Sequence, residues 1–316
     1  MLPWIEPYRY RINAALSEER FGHAPMIVGP PGLGKGQLAE WLLARLLCLS
    51  PAHGSACGEC RSCELLAAGS HPDCFRVGIP EDKKEIPVDS VRQLSASLQL
   101  TPSIGSQRAG LIDPAEAMNR NAANALLKTL EEPHPGAWLI LLSHRPASLP
   151  ATIRSRCQSI VIRPPEPEQA IEWLSSACPE ASEQTVHQAL NFAGGAPLAA
   201  RALLGDGGLE FGQKILAGLK ALAAGEAVAT VLDEEWTSNA GDTWRWLSQW
   251  TALCLSGSLS HEPEGRRVEM PPVDARSAAR LWQSALDARG MADSAVRQEL
   301  AMARWLIEWQ SCCQKG

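Results

Sequence analysis

Absent from this 316-residue chain is any apolar run approaching the roughly 18 residues of a membrane span. Its N-terminus, with Glu6 and Arg9 inside it, also lacks a signal-peptide pattern, so the expected location is the cytoplasm, with no membrane partner. An excess of positive charge is missing too. The 29 lysines and arginines face 35 aspartates and glutamates, a net charge of −6 at neutral pH. That balance excludes a chain that binds nucleic acid alone through a large basic surface, because such affinity depends on neutralising phosphates. Any contact with DNA is expected to be local or shared with partners. No internal repeat of diagnostic period is present. What remains is a soluble, globular composition, 45% hydrophobic and 20% charged, with length for two or three domains.

Two further absences lie inside a recognisable motif. Gly29-Pro30-Pro31-Gly32-Leu33-Gly34-Lys35-Gly36 follows the apolar run Pro25-Met26-Ile27-Val28 and leads into a helical pattern from Gln37. A phosphate-binding loop requires that strand-to-helix context: glycines let backbone N–H groups converge on phosphate, and the helix N-terminus and a lysine add positive charge. Gly29, Gly32, Gly34 and Lys35 fit this cradle. The next position should carry the hydroxyl that holds Mg²⁺, and Gly36 has none. A second strand, Arg108 to Ile112, ends in Asp113, the place of the acid that helps hold Mg²⁺ in such folds. Hydrolysing relatives of this motif commonly follow it with a glutamate that orients water, whereas this chain has Pro114. Glu116 comes two residues late and is expected to be a solvated first-turn acid pointing elsewhere.

The ten cysteines, in a reducing compartment, read as metal ligands and buried thiols rather than disulfides. Cys48, Cys57, Cys60 and Cys63 place four thiolates within sixteen residues, a spacing suited to a closed, structural zinc site. An iron–sulfur pattern would want a further cysteine at position 67, which is Ala67. His71 and Cys74 are alternative fourth ligands in place of Cys48.

Strands are expected at 73–77, 108–113, 138–143 and 158–162 besides the one before the loop, with helices between them, including Val88 to Leu100 opened by Asp89-Ser90, and Asn119 to Glu132 stopped by Pro133. Continuous apolar strands alternating with helices indicate an α/β fold with a parallel sheet covered on both faces. The run Arg163-Pro164-Pro165-Glu166-Pro167 marks a boundary, after which the pattern is helical. A first helical group spans about 167–205 and closes at Gly194-Gly195-Ala196-Pro197. The second, tryptophan-rich, contains a loop at 256–274 and ends in a helix with Met302, Trp305, Leu306 and Trp309 on one stripe, the mark of a core or a subunit interface.

Asn124-Ala125-Leu126-Leu127-Lys128-Thr129-Leu130-Glu131-Glu132-Pro133, followed by Ser155-Arg156-Cys157, is similar to the clamp-loader branch of the AAA+ ATPases. The cysteine cluster after the P-loop helix narrows the resemblance to the bacterial DNA polymerase III clamp loader. It holds at motif level over residues 1 to about 200 and rests on domain layout beyond. Within that family the chain departs from the ATPase subunits, called tau or gamma, at Gly36, at Pro114 and at Leu198, where the family's second sensor is an arginine. It therefore resembles the non-hydrolysing delta-prime branch.

The resemblance implies three domains: an AAA+ P-loop domain at 1–165 bearing the zinc module at 48–63, a helical lid at 166–205, and a helical collar domain at 206–316. It implies a stator with ATPase subunits and delta as partners in a ring that opens the sliding clamp and places it on primed DNA. It also implies that Arg156 serves as an arginine finger in trans, the alternative being a salt bridge within its own domain, with Arg154 an exposed or backbone-bonding neighbour. Binding of ATP or ADP is expected to be weak or absent, Zn²⁺ structural, and intrinsic ATPase lacking, the chain being a component of the polymerase III holoenzyme. The alternatives are the ATP-hydrolysing tau/gamma type and a zinc-dependent adaptor that binds DNA or protein through its cysteines.

Overall fold

Short apolar runs cannot bury both faces alone, and here they do so by pairing into one sheet with helices above and below. The computed structural model describes residues 2–205, 207–257, 271–292 and 297–314. The chain forms two compact units, Met1–Arg201 and Ala202–Gly316.

In the first unit the strands are β1 (Pro25–Val28), β2 (Cys74–Val77), β3 (Arg108–Ile112), β4 (Ala137–Ser143) and β5 (Gln158–Val161). They lie in the order β2-β3-β4-β1-β5, with all pairings parallel. The helices are α1 (Glu6–Ser17), α2 (Lys35–Leu47), α3 (Arg61–Ala67), α4 (Val88–Leu98), α5 (Arg120–Glu131), α6 (Ala151–Arg154), α7 (Pro167–Ala177), α8 (Glu183–Phe192) and α9 (Pro197–Gly205), the last crossing the division between the units.

Side chains alternate across a strand, so each of the central strands feeds two cores. Ile27, Leu111, Ile140 and Leu142 join one cluster with Leu38, Leu42 and Leu43 of α2. Met26, Val28, Ile112, Leu139 and Leu141 join the other with Val91 and Leu94 of α4 and Leu126 and Leu130 of α5. Because the strands are parallel, their carboxyl ends share one rim, the usual ligand-binding edge of such a sheet. On that rim lie the loop after β1, Asp113 after β3, and Ser143 and His144 at the end of β4.

Local chemistry sets the helix ends. Asn119 caps α5 by accepting from the N–H of Ala122 at 3.0 Å, and Pro133 follows its end. α4 is preceded by Pro87 rather than opened by Asp89-Ser90; Asp89 lies in the first turn, where its charge favours the helix dipole. Pro197 opens α9 instead of closing the group, since a residue without an N–H is well tolerated in a first turn.

Among the described residues the second unit is helical: α10 (Gly208–Ala223), α11 (Val228–Val231), α12 (Glu234–Ser238), α13 (Ala240–Gly257), α14 (Ala275–Arg289) and α15 (Gln298–Cys313). Its core is built on tryptophan. Trp236, Trp244, Trp246, Trp250, Trp305 and Trp309 are buried, and the indoles of Trp250, Trp305 and Trp309 donate to the carbonyls of Gly212, Leu281 and Leu219. The Met302, Trp305, Leu306 and Trp309 stripe is wholly inside this unit. It is core, and the apolar residues α15 exposes are Leu300 and Ile307. Of the loop expected at 256–274, residues 258–270 lie outside the described residues.

Candidate functional site

The loop after β1 has the backbone of a phosphate cradle. Gly29, Gly32 and Gly34 have φ of 151°, 79° and 84°, and α2 begins at Lys35. Its own chain closes on it. A Cβ at Gly32 would lie 2.5 Å from Cβ of Ala199 and 2.6 Å from its backbone nitrogen, and one at Gly34 would lie 2.4 Å from Leu2 Cδ1. The N–H of Leu198 donates to the carbonyl of Gly32 at 3.1 Å, and the Trp4 indole donates to that of Leu33 at 3.0 Å. Lys35 is buried and gives its Nζ to the carbonyl of Pro30 at 2.7 Å. Burial pushes the pKa of this ammonium down, while Asp113 and Glu116 pull it up. At Gly36 nothing lies within 4 Å of the side chain it lacks, so the missing hydroxyl has space but no atom.

Around Lys35 the carboxylates are arranged differently from expectation. Glu116 lies in the first turn of the short helix Ala115–Ala117, as expected, but is half-buried rather than solvated. The short turn Ala115–Ala117 after Pro114 brings it back to the end of β4, where Oε1 accepts from the N–H of His144 at 2.9 Å. Burial would raise its pKa, but hydrogen bonds from Ser143, from its own N–H and from His144 bring it below the usual value. Burial raises Asp113, opposed by His144 and Lys35, and burial together with Lys35 lowers His144. Glu116 is thus tied to the end of β4, and the residue directly after Asp113 remains a proline with no ionisable group.

Arg156 lies away from this cluster, in the turn between α6 and β5. Its side chain is 36% exposed. Nη1 donates to the Thr152 carbonyl at 2.9 Å and to Ser155 Oγ at 3.4 Å, and Nη2 pairs with Glu131 Oε1 at 2.7 Å. Arg154, in the last turn of α6, is exposed.

The four predicted cysteines come together. The Sγ atoms of Cys48, Cys57, Cys60 and Cys63 all lie within 4.8 Å of one another. Cys48–Cys57, Cys48–Cys60 and Cys57–Cys63 separations are 3.5, 3.9 and 4.0 Å. Thiolates about 2.3 Å from one tetrahedral metal must be about 3.8 Å apart, so the set fits a metal of zinc's size. The N–H groups of Cys57 and Cys60 donate to the sulfurs of Cys48 and Cys57. Hydrogen bonds from the backbone of Cys63 and Leu49 and from the Cys63 and Cys57 side chains overcome burial and bring the Cys60 thiol down to about 6, while burial pushes its neighbour Cys63 up to about 12.

The alternative ligands have other roles. Cys74 is in β2 and burial raises its pKa. His71 Nδ1 accepts from the N–H of Asp73 at 3.0 Å, so the neutral ring carries its proton on Nε2 and donates to Ser62 Oγ at 2.9 Å. Ser62 in turn donates to the Leu47 carbonyl at 2.6 Å. Fully buried Asp73 accepts from the N–H groups of Ser103 and Ile104 and pairs with Arg108 at 3.0 Å. This polar chain fastens the cysteine module to the sheet. Sequence reasoning missed it, along with the Trp4 and Leu2 contacts to the loop and the Glu131 partner of Arg156. Most of these contacts join residues far apart in the chain; His71, Asp73, Arg108 and Glu131 stand in segments the sequence singles out, but no spacing pairs them with their partners.

Residues 8–166 match the family described as DNA polymerase III, delta subunit. The chain is 40% identical over 306 residues to the DNA polymerase III subunit delta' of Pseudomonas aeruginosa, covering 96% of this chain and 90% of that one. It is 36% identical over 201 residues to the DNA polymerase III subunit delta' of Escherichia coli, covering 64% and 60% of the two chains. A DNA polymerase III subunit tau/gamma from Haemophilus influenzae is 31% identical over 160 residues, 51% of this chain and 23% of that one. With this full-length likeness, a parallel P-loop sheet and a four-cysteine module, the chain belongs to the delta-prime family of DNA polymerase III subunits.

Proposed function

We propose that this chain is a stator of the clamp loader that turns over no ATP itself and supplies Arg156 to the ATP site of a neighbouring tau/gamma-type subunit. One observation carries the reading: the P-loop keeps its shape, with Lys35 and Asp113 in place, while three groups that turnover needs are gone. Gly36 has no hydroxyl, Pro114 no carboxylate and Leu198 no guanidinium, and the loop is braced by Trp4, Leu2 and the backbone of α9. Arg156, by contrast, is accessible and keeps donors to spare. An arginine placed in trans against a transferring phosphoryl group can raise its rate roughly 10³–10⁵-fold.

In this reading residues 1–165 are the AAA+ domain, 166–205 the lid and 206–316 the collar, with delta, the tau/gamma subunits, the sliding clamp and primed DNA as partners. The collar contact is assigned to the exposed face of α15 bearing Leu300 and Ile307, since the tryptophan stripe is already used as core. The metal assigned to Cys48, Cys57, Cys60 and Cys63 is Zn²⁺, which closes the module with no position for water or substrate. The location assigned is the cytoplasm, and among the described residues no helix is long and apolar enough to cross a membrane.

The test is to measure ATP hydrolysis and nucleotide binding by the isolated chain, with and without clamp and primed DNA. No hydrolysis and weak or no binding are expected; stimulated hydrolysis would move the chain to the tau/gamma type and end the stator reading.

A further inference from the structure

The ion pair between Glu131 and Arg156 joins the last turn of α5 to the turn after α6. Helix stability does not account for the acid, because a carboxylate at a helix C-terminus opposes the dipole. Nor does the pair hold the fold to any large degree, since both side chains are substantially exposed, at 36% and 49%. What it does is fix the direction of a long, flexible side chain. The guanidinium is held at two nitrogens, by the Thr152 carbonyl and Ser155 hydroxyl on Nη1 and by Glu131 on Nη2. Arginine has five N–H donors and these contacts use three, so the group can stay anchored to its own chain while the rest face an incoming phosphate.

We propose that Glu131 is a positioning residue for Arg156: it holds the guanidinium in the conformation that meets the neighbouring subunit's nucleotide, and acts only through that arginine. The inference rests on the trans-arginine reading. A pre-formed anchor removes rotamer loss from the transition state, the benefit of any preorganised electrostatic group. The short segment from α5 that carries Glu131 and the Ser155-Arg156-Cys157 triplet then form one device, although 23 residues separate Glu131 from Ser155.

The experiment uses a complex reconstituted with the tau/gamma and delta subunits, with this chain as wild type, Glu131→Ala, Glu131→Gln, Arg156→Ala, or Glu131→Ala with Arg156→Ala. Assembly is checked by size-exclusion chromatography, and clamp- and DNA-stimulated ATP hydrolysis is measured against nucleotide concentration. Expected is a fall in kcat of about three- to tenfold for Glu131→Ala, the scale of the freedom the arginine regains, with KM for ATP unchanged. Glu131→Gln, which keeps an accepting oxygen, restores most of the rate, and Glu131→Ala adds no loss to Arg156→Ala. A Glu131→Ala rate at or above wild type while Arg156→Ala is slow overturns the positioning role alone. So does a double variant slower than Arg156→Ala, which would place Glu131 in some other function. An Arg156→Ala rate equal to wild type overturns the trans-arginine reading beneath it.

Discussion

Two glycines in the P-loop should respond to alanine in opposite ways when no nucleotide is present. Gly32 has φ of 79°, a left-handed conformation costing a residue with a Cβ about 1 kcal/mol or more. The new methyl would also meet Ala199 at 2.5 Å, forcing the start of α9 away and breaking the Leu198 N–H bond to the Gly32 carbonyl, a further loss of about 1 kcal/mol. The expected sum for Gly32→Ala is about 2–3 kcal/mol of lost stability. Gly36 is the second residue of α2 and has nothing within 4 Å of its missing side chain. Gly36→Ala should stabilise by about 0.4–1 kcal/mol, because alanine has less freedom to lose on folding. Urea unfolding of the full chain without nucleotide measures both, read on the transition of the first unit. Without the bracing, Gly32→Ala would cost only the backbone share, about 1 kcal/mol, and a loss no larger than that would refute the bracing described above.

Asp73→Asn should cost about 3–5 kcal/mol, since it leaves the Arg108 guanidinium buried without a counter-charge; adding Arg108→Met should recover much of this, and denaturant midpoints check both. Metal analysis of the purified chain should find one zinc per chain, and Cys57→Ser should lose it and open residues 48–63 to protease while the sheet signal in circular dichroism persists. His71 is held neutral by burial, with Asp73 opposing, so its folded pKa lies below the unfolded value of about 6.5. The stability it contributes is then complete above about pH 6.5 and falls as pH drops below it, because the unfolded chain takes up the proton first. His71→Gln, whose amide can make both hydrogen bonds, should remove that part of the pH slope in urea titrations.

How far these features can be read from sequence differs with their range. Strands β1, β3 and β4 stand out because continuous apolar runs such as Trp138-Leu139-Ile140-Leu141-Leu142 feed two cores, and the metal set stands out because its ligands are close in the chain. Glu116 is not legible in this way: a three-residue turn after Pro114 reverses its direction, and no periodicity records that. The stripe from Met302 to Trp309 reveals a buried face but not what buries it; its partners include carbonyls of α10 and α14, 90 and 24 residues away. The Trp4 bond to Leu33 and the Arg156 pair with Glu131 are single contacts between distant segments, carrying no pattern at all. The loop's glycines illustrate the limit from the other side. Their spacing announces phosphate binding, while Ala199 and Leu2 fill the space against two of them.

The central claim is that the chemistry served by this chain occurs in its neighbour. It is tested most directly by Arg156→Ala in a complex reconstituted with the tau/gamma and delta subunits, with assembly, clamp loading and clamp- and DNA-stimulated ATP hydrolysis measured on the same preparation. Intact assembly with reduced hydrolysis and clamp loading is the predicted result; intact assembly with hydrolysis equal to wild type would contradict it.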